Sequence, residues 1–190
     1  MKPDFQRDLI PRVDALHLIG ALNAMKDKLH DAAQRWELLD ENGHVPVAPS
    51  YAALLQHATD AQDLSRDVLR LASDFARSPH HTTRTGRTGL KQLATAATIS
   101  SHAAPHFTET AEAALALPRT ADPTDRHYLT NRMVIDHASA RAFLRRASES
   151  LRDAAKELDD HLGVQRFLAP LTRREGPPEP PPSRPGGLHR

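Results

Sequence analysis

The chain of 190 residues contains no cysteine. Disulfides, thiolate metal sites and cysteine nucleophiles are therefore excluded. A chain without cysteine suits a reducing compartment, and we expect a cytoplasmic protein. No apolar run approaches the roughly 20 residues that a membrane helix needs. The N-terminal stretch MKPDFQRDLIPRVD carries charges throughout and has no apolar core of signal-peptide length. The sequence thus predicts no membrane partner.

Aromatic residues make up only 4% of the chain, and valine and isoleucine are scarce. A β-sheet would lack its preferred residues, whereas the abundant alanine and leucine suit helices packed side by side. Net charge is also nearly absent, at +1 from 25 basic and 24 acidic residues. This balance gives no bulk reason to expect nucleic acid or an acidic partner. The arginine, alanine and proline usage is typical of a GC-rich bacterial genome.

Four segments carry apolar residues at alternating intervals of three and four, which is the pattern of helices packed at shallow angles. Proline or aspartate at the starts, and Gly43, Pro79 and Pro118 at the stops, set the approximate boundaries. The predicted helices span about residues 12–40, 50–77, 88–117 and 123–162. We expect an all-α, up-down-up-down four-helix bundle over residues 11–168. The same stripes also allow two helical hairpins that dimerise.

Two features modify this regular bundle. Pro105 lies inside the third predicted helix, where a proline removes a hydrogen bond and clashes with the preceding turn, at a cost of about 3 kcal/mol or more. We therefore predict a kink near residues 101–105, or two helices in series. The fourth helix should span about 60 Å, against about 45 Å or less for its partners. One of its ends is expected to protrude, to bend or to pack on something else.

Both ends of the chain are predicted to lie outside the bundle. Residues 1–10 are expected to form a flexible N-terminus. Residues 169–190 include PPEPPPSRP, and their proline and charge favour a disordered tail. The alternative is that this tail docks as a polyproline ligand in an aromatic groove of a partner.

Residues 78–91, SPHHTTRTGRTGLK, contain two glycines and several basic residues but no acid. Glycine-permitted turns before a helix N-terminus can bind phosphate, and Arg84, Arg87 and Lys91 would supply the cations. The spacing matches no P-loop, and no aromatic residue offers a stacking platform for bases. Three interpretations stay open: a plain inter-helix loop, contact with nucleic-acid phosphates, or a nucleotide site.

The chain has 12 histidines, which raises the question of a metal site. On an unbroken helix, His102, His106 and Glu109 would share one face and form a candidate transition-metal site. Pro105 lies inside that turn and works against the register. The Glu-x-x-His motif of di-iron bundles does not occur. The other interpretation is that the histidines face solvent or are satisfied in the core, and we predict no cofactor.

Asp136 and His137 fall at the seam of the fourth predicted helix. A buried polar pair costs stability unless it is hydrogen-bonded, and it can fix the register of packed helices in return. We interpret the pair as a register or interface feature rather than a catalytic one.

The sequence carries no catalytic signature such as Gly-x-Ser-x-Gly. We therefore expect a non-enzymatic helical interaction or adaptor protein, which binds another protein, or a second copy of itself, through a bundle face or its tail. The first alternative is a nucleic-acid-associated protein that contacts phosphates through Arg84 and Arg87. The second is a metal-dependent helical-bundle enzyme.

Overall fold

The computed structural model describes residues 9–172, and for residues 168–172 it describes the backbone alone. No strand occurs in this part of the chain, so the predicted all-α class is confirmed. The helices are α1 (Arg12–Arg35), α2 (Tyr51–Arg77), α3 (Arg84–Ser101), α4 (Ala103–Ala116) and α5 (Pro123–Thr172). Two short 3₁₀ turns, Pro79–Thr82 and Leu117–Arg119, lie between them. Between residues 9 and 172, no helix combines the length and the hydrophobicity that crossing a membrane requires.

The helices form the predicted four-helix bundle, with α3 and α4 together in the place of its third helix. The long helix α5 packs against α1, α3 and α4, and α2 packs against α3 and α4. By contrast, α1 and α2 touch each other little, although they are neighbours along the chain. The edge between α1 and α2 is therefore the open edge of the bundle.

The predicted seams are the buried faces of the helices. On α2, the structure buries seven residues of the predicted stripe: Leu54, Ala58, Ala61, Ser65, Val68, Ala72 and Phe75. On α5, the buried seam includes Leu144, Leu151 and Leu158, each with no exposed surface. Burial of each such side chain contributes about 1.5–3 kcal/mol, which is why helices with so little aromatic content still hold together.

The predicted break near Pro105 is confirmed. Helix α3 ends at Ser101 and α4 begins at Ala103, so that His102 alone separates them. Proline at position 105 has no N–H to donate to the carbonyl of residue 101, which would be its partner in a continuous helix. The chain stays close to helical angles at His102, with φ −80° and ψ −13°.

Several helix boundaries differ from the predicted ones. Helix α1 ends at Arg35 rather than near residue 40, since the backbone of Trp36 is extended, with φ −83° and ψ 101°. A turn follows at residues 40–44, where the Asp40 carboxylate accepts hydrogen bonds from the backbone N–H groups of Asn42 and His44, at 2.9 and 3.0 Å. Such local side-chain bonds compete with helix formation. At the other extreme, α5 continues through Gly163, the predicted C-terminal cap, to Thr172.

The flexible N-terminus was predicted to span residues 1–10, but Ile10 is packed in the core, with 1% of its surface exposed. Its N–H lies 3.3 Å from His161 Nε2, and its carbonyl accepts a hydrogen bond from Gln165 at 2.8 Å. These contacts tie the start of α1 to α5. The tail predicted to be disordered over residues 169–190 begins later than expected, because residues 169–172 belong to α5. The predictions for residues 1–8 and for the rest of the tail, whether disordered or polyproline-binding, lie outside the described residues.

Candidate functional site

The segment 78–91 is mostly helical rather than a loop. After the 3₁₀ turn Pro79–Thr82, the Thr83 hydroxyl caps α3 by accepting a hydrogen bond from the Gly86 N–H at 3.0 Å. Helix α3 therefore begins at Arg84, before the predicted start near residue 88. Both glycines of the proposed phosphate loop lie in helical backbone, so the expected glycine turn is wrong.

Position 86 requires a glycine because the preceding 3₁₀ turn lies against it. A Cβ atom at this position would clash with the carbonyl oxygen of His80 and would lie 2.8 Å from Thr83 Oγ1. The glycine thus lets the preceding 3₁₀ turn pack directly on the first turn of α3. Its role here is close packing rather than the presentation of backbone N–H groups to a phosphate.

The three basic residues of this segment nevertheless share one face. Arg84, Arg87 and Lys91 are separated by three and four residues on α3, and all three are exposed. No acidic side chain among residues 9–172 pairs with any of them. We call these three side chains the basic face of α3.

The predicted metal set is only partly brought together. His106 and Glu109 are neighbours on α4, with His106 Nδ1 3.3 Å from Glu109 Oε2. Asp136 of α5 completes a group of three, since its Oδ1 lies 3.3 Å from the same Nδ1. His102 does not join them; its ring packs beside Phe143, with the ring centroids 5.3 Å apart. The helix break separates His102 from the register that an unbroken helix would have given.

Asp136 is the least exposed member of this group, at 8%. Its Oδ2 atom is buried and accepts no hydrogen bond from the described residues. The nearest cation is Arg132, whose Nε lies 3.5 Å from Oδ2 without forming a hydrogen bond. The ring of His106 stacks on Phe143 at an interplanar angle of 14°, which fixes its orientation. We call His106, Glu109 and Asp136 the α4–α5 cluster.

A second group of polar rings lies deeper in the bundle. His57 of α2 stacks on Trp36, with centroids 5.1 Å apart, and both His57 and His137 lie edge-on to Phe107. Burial, together with the nearby His57 and Arg141, lowers the pKa of His137 to about 4. Burial also lowers the pKa of His57, which Asp60 partly offsets. Both rings are thus neutral near pH 7.

These histidines form a layer that interrupts the apolar interior. One hydrophobic cluster includes Phe107 and extends along the bundle, and a smaller one includes Leu54 and Met133. On α2 and on α5, the histidine lies between residues of the smaller cluster and residues of the larger one. Among the described residues, His57 Nδ1 and His137 Nε2 are buried without a hydrogen-bond partner. Asp136 and His137 are both buried, as the seam of α5 predicts; their interpretation as a register feature stays a prediction.

The open edge between α1 and α2 contains two clefts, one after the other along the same helix pair. The first has a volume of about 580 Å³, and six of its eleven lining residues are apolar: Ile10, Val13, Leu18, Ala21, Leu71 and Phe75. The second has a volume of about 480 Å³ and is lined by three apolar residues and by charged side chains of both signs: Ala32, Trp36 and Leu64, then Lys28 and Arg35, then Asp31, Asp60, Asp63 and Asp67. We call the two clefts together the α1–α2 groove.

The charges in the groove are unevenly paired. Asp63 and Asp67 pair with Arg66 and Arg70 of the same helix, at 2.6 and 2.9 Å. Within residues 9–172, the carboxylate of Asp31 forms no ion pair, and that of Asp60 accepts a hydrogen bond from Gln56 but pairs with no cation. The half near the start of α1 is the more apolar one, although the side chains of Asp14 and His80 pair in it at 2.8 Å. The half near the end of α1 is charged, with four aspartates against Lys28 and Arg35.

Comparison of the chain with protein-family models, with curated proteins and with solved structures gave no match.

Two parts of this arrangement were not predicted from the sequence. Asp136 was considered for the seam of α5 but not as a neighbour of His106, because their proximity depends on how α4 and α5 align. The second is the groove residue Val13, which lies off the apolar stripe of α1 and is 77% exposed in the wall of the groove. An apolar residue just outside the stripe, at the start of the helix, was the available signal.

Proposed function

We propose that the chain is a non-enzymatic interaction protein whose α1–α2 groove binds an amphipathic helix of another protein. The observation that carries the proposal is the open edge between α1 and α2. The other neighbouring helices of the bundle pack closely, whereas this pair leaves Val13 exposed between them, with Leu18 and Leu71 partly exposed beside it. Helix-in-groove binding uses such a surface, with apolar anchors on one face of the incoming helix.

The charge of the groove defines the partner further. Apolar anchors at one end of its helix would fit the cleft around Val13 and Leu71. Lysine or arginine at the other end would lie near Asp31 and Asp60. Helix α1 has 24 residues and is about 36 Å long, so an incoming helix of similar length would cover both clefts. Complementary charge of this kind fixes register and orientation more than it adds affinity.

The test is capture of partners from extracts of the native host by the purified full chain, with Val13→Glu beside wild type. Val13 is 77% exposed, so this substitution should leave the fold intact while it places a charge in the apolar half of the groove. We expect the captured protein to be lost. Ile135→Glu, at a position that is 64% exposed on α5, is the matched control and should capture as wild type does.

Three results of this experiment would contradict the proposal. In the first, Val13→Glu and Ile135→Glu capture the same protein equally well. In the second, wild type sediments as a dimer and Val13→Glu as a monomer, which would assign the groove to a second copy. In the third, a synthetic peptide of the amphipathic basic helix from the captured protein fails to bind the purified chain.

A second candidate function is contact with nucleic-acid phosphates, and it is supported by the basic face of α3. Under that function, nuclease abolishes the capture and Arg84→Glu/Arg87→Glu abolishes it as well. Arg119→Glu/Arg126→Glu is the matched control, since both residues are exposed near the opposite end of the bundle. Binding through phosphates would also weaken steeply between about 50 and 200 mM salt. Capture that survives nuclease and the Arg84/Arg87 change excludes this candidate.

The remaining parts of the proposal concern where the protein works. The lack of cysteine and the amino-acid usage support the cytoplasm of a bacterium as its location. A metal-dependent enzyme is not proposed, although the α4–α5 cluster contains side chains that can bind a metal ion.

A further inference from the structure

We propose that the α4–α5 cluster is a binding site for a divalent transition metal, with Zn²⁺ as its natural probe. The ligands are one imidazole nitrogen, His106 Nδ1, and two carboxylates, those of Glu109 and Asp136. Their donor atoms all lie within 4.8 Å of one another. Imidazole and carboxylate together are ligands that Zn²⁺ accepts in proteins.

The two distances from His106 Nδ1 are compatible with a common ion, although the one to Asp136 Oδ1 also meets the geometry of a long hydrogen bond. Two ligand atoms that each lie about 2.1 Å from a tetrahedral Zn²⁺ are about 3.4 Å apart. His106 Nδ1 lies 3.3 Å from a carboxylate oxygen of Glu109 and of Asp136 alike. A charge-assisted N–H···O bond is shorter, at about 2.7–2.9 Å. The nitrogen thus stands at ligand spacing from both carboxylates.

The burial of Asp136 is a second, independent observation. The Asp136 side chain is 12% exposed, so its carboxylate has lost most of its hydration. Its Oδ1 is in hydrogen-bond contact with His106 Nδ1 at 3.3 Å, whereas its Oδ2 has no hydrogen-bond partner among residues 9–172. A buried carboxylate is costly unless a cation or hydrogen bonds compensate it. Arg132 lies at 3.5 Å but is itself half exposed, so it compensates weakly. A divalent ion would neutralise the charges of both carboxylates.

The helices place the ligands without a special loop. His106 and Glu109 are three residues apart on α4 and therefore lie on one face. Asp136 reaches them from α5, so an ion would link the two helices just after the break at His102. Glu109 and His106 are partly exposed, which leaves a position where water completes the coordination. This site does not depend on the α1–α2 groove.

The test uses tag-free full-length protein that has been stripped with a chelator and dialysed. Titration with Zn²⁺ in a calorimeter, and with Co²⁺ followed by visible absorption, should show a single saturable site in wild type. His106→Gln, Glu109→Gln and Asp136→Asn should each weaken binding at least about tenfold. Zn²⁺ should also raise the Tm of wild type more than that of these variants. His102→Gln is the matched control and should bind as wild type does.

Each other outcome overturns the site. Absence of saturable uptake would mean that the three side chains contact one another without holding an ion. Uptake that all three variants retain would place the metal on other histidines of the chain. If His102→Gln weakened Zn²⁺ binding equally, the ligands would be His102, His106 and Glu109, as predicted from the sequence, rather than the α4–α5 cluster. Because Glu109 is partly exposed, Glu109→Gln should fold normally and keeps the test decisive if Asp136→Asn does not fold.

Discussion

Replacing Phe107 by alanine should lower the free energy of unfolding by about 3–5 kcal/mol. Phe107 has no exposed surface, and its ring contacts those of Trp36, His57 and His137, at centroid distances of 5.3, 5.7 and 5.2 Å. Removal of the ring leaves a cavity bordered by Trp36 and two histidines. Four helical segments meet at this ring, so little local collapse can fill the space.

Denaturation with guanidinium chloride at pH 7, in the presence of a chelator, measures this loss. Tyr128→Ala removes an aromatic ring that is 66% exposed at the start of α5, and it should change stability by less than about 0.5 kcal/mol. A loss below about 1 kcal/mol for Phe107→Ala would mean that Phe107 is not fully packed. The histidine layer would then be looser than the structure indicates.

Replacing Gly86 by alanine should destabilise the protein by about 1–3 kcal/mol, the usual cost of overpacking. In an exposed helix interior the same change stabilises by about 1 kcal/mol, since alanine is the better helix former. At Gly86 the added methyl group would meet the backbone carbonyl of His80 and Thr83 Oγ1. Backbone atoms cannot move aside as a flexible side chain can, so the 3₁₀ turn must shift or detach from α3.

Gly20 of α1 is the matched control for this change. A Cβ atom there meets nothing within 4 Å, so Gly20→Ala should raise the free energy of unfolding. The two substitutions are chemically identical, and opposite signs in the same denaturation assay are expected. If Gly86→Ala also stabilised, the turn before α3 would not be packed against Gly86. Residues 78–91 would then regain the freedom of a loop.

The helix packing could be predicted because it follows from local periodicity. All seven buried residues of α2 belong to a stripe that is visible in the sequence, and the break at His102 follows from the missing N–H of Pro105. The start of α3 could not be placed, because Gly86 and Gly89 lie among other turn-forming residues and the segment resembles a loop. Helix α3 starts at Arg84 because Thr83 caps it and because Gly86 packs against His80, and the second contact is visible only in three dimensions.

The candidate sites were less predictable for a related reason. A periodic stripe shows which face of a helix is buried but not how far two helices are shifted along each other. The proximity of His106 to Asp136 depends on that shift. The groove depends on which pair of helices packs least closely. Every seam in the sequence predicts the same closed bundle, so nothing in the stripes of α1 and α2 singles out their shared edge.

The groove is the central element of the proposed function, and site-specific photo-crosslinking in the native host tests it most directly. Benzoylphenylalanine is placed at position 13 in the groove and, as the control, at position 135 on α5. The account predicts a covalent adduct from position 13 alone, on a peptide that is amphipathic and carries lysine or arginine at one end. Adducts of equal yield from both positions, an adduct with a second copy of this chain, or no adduct at position 13 would contradict it.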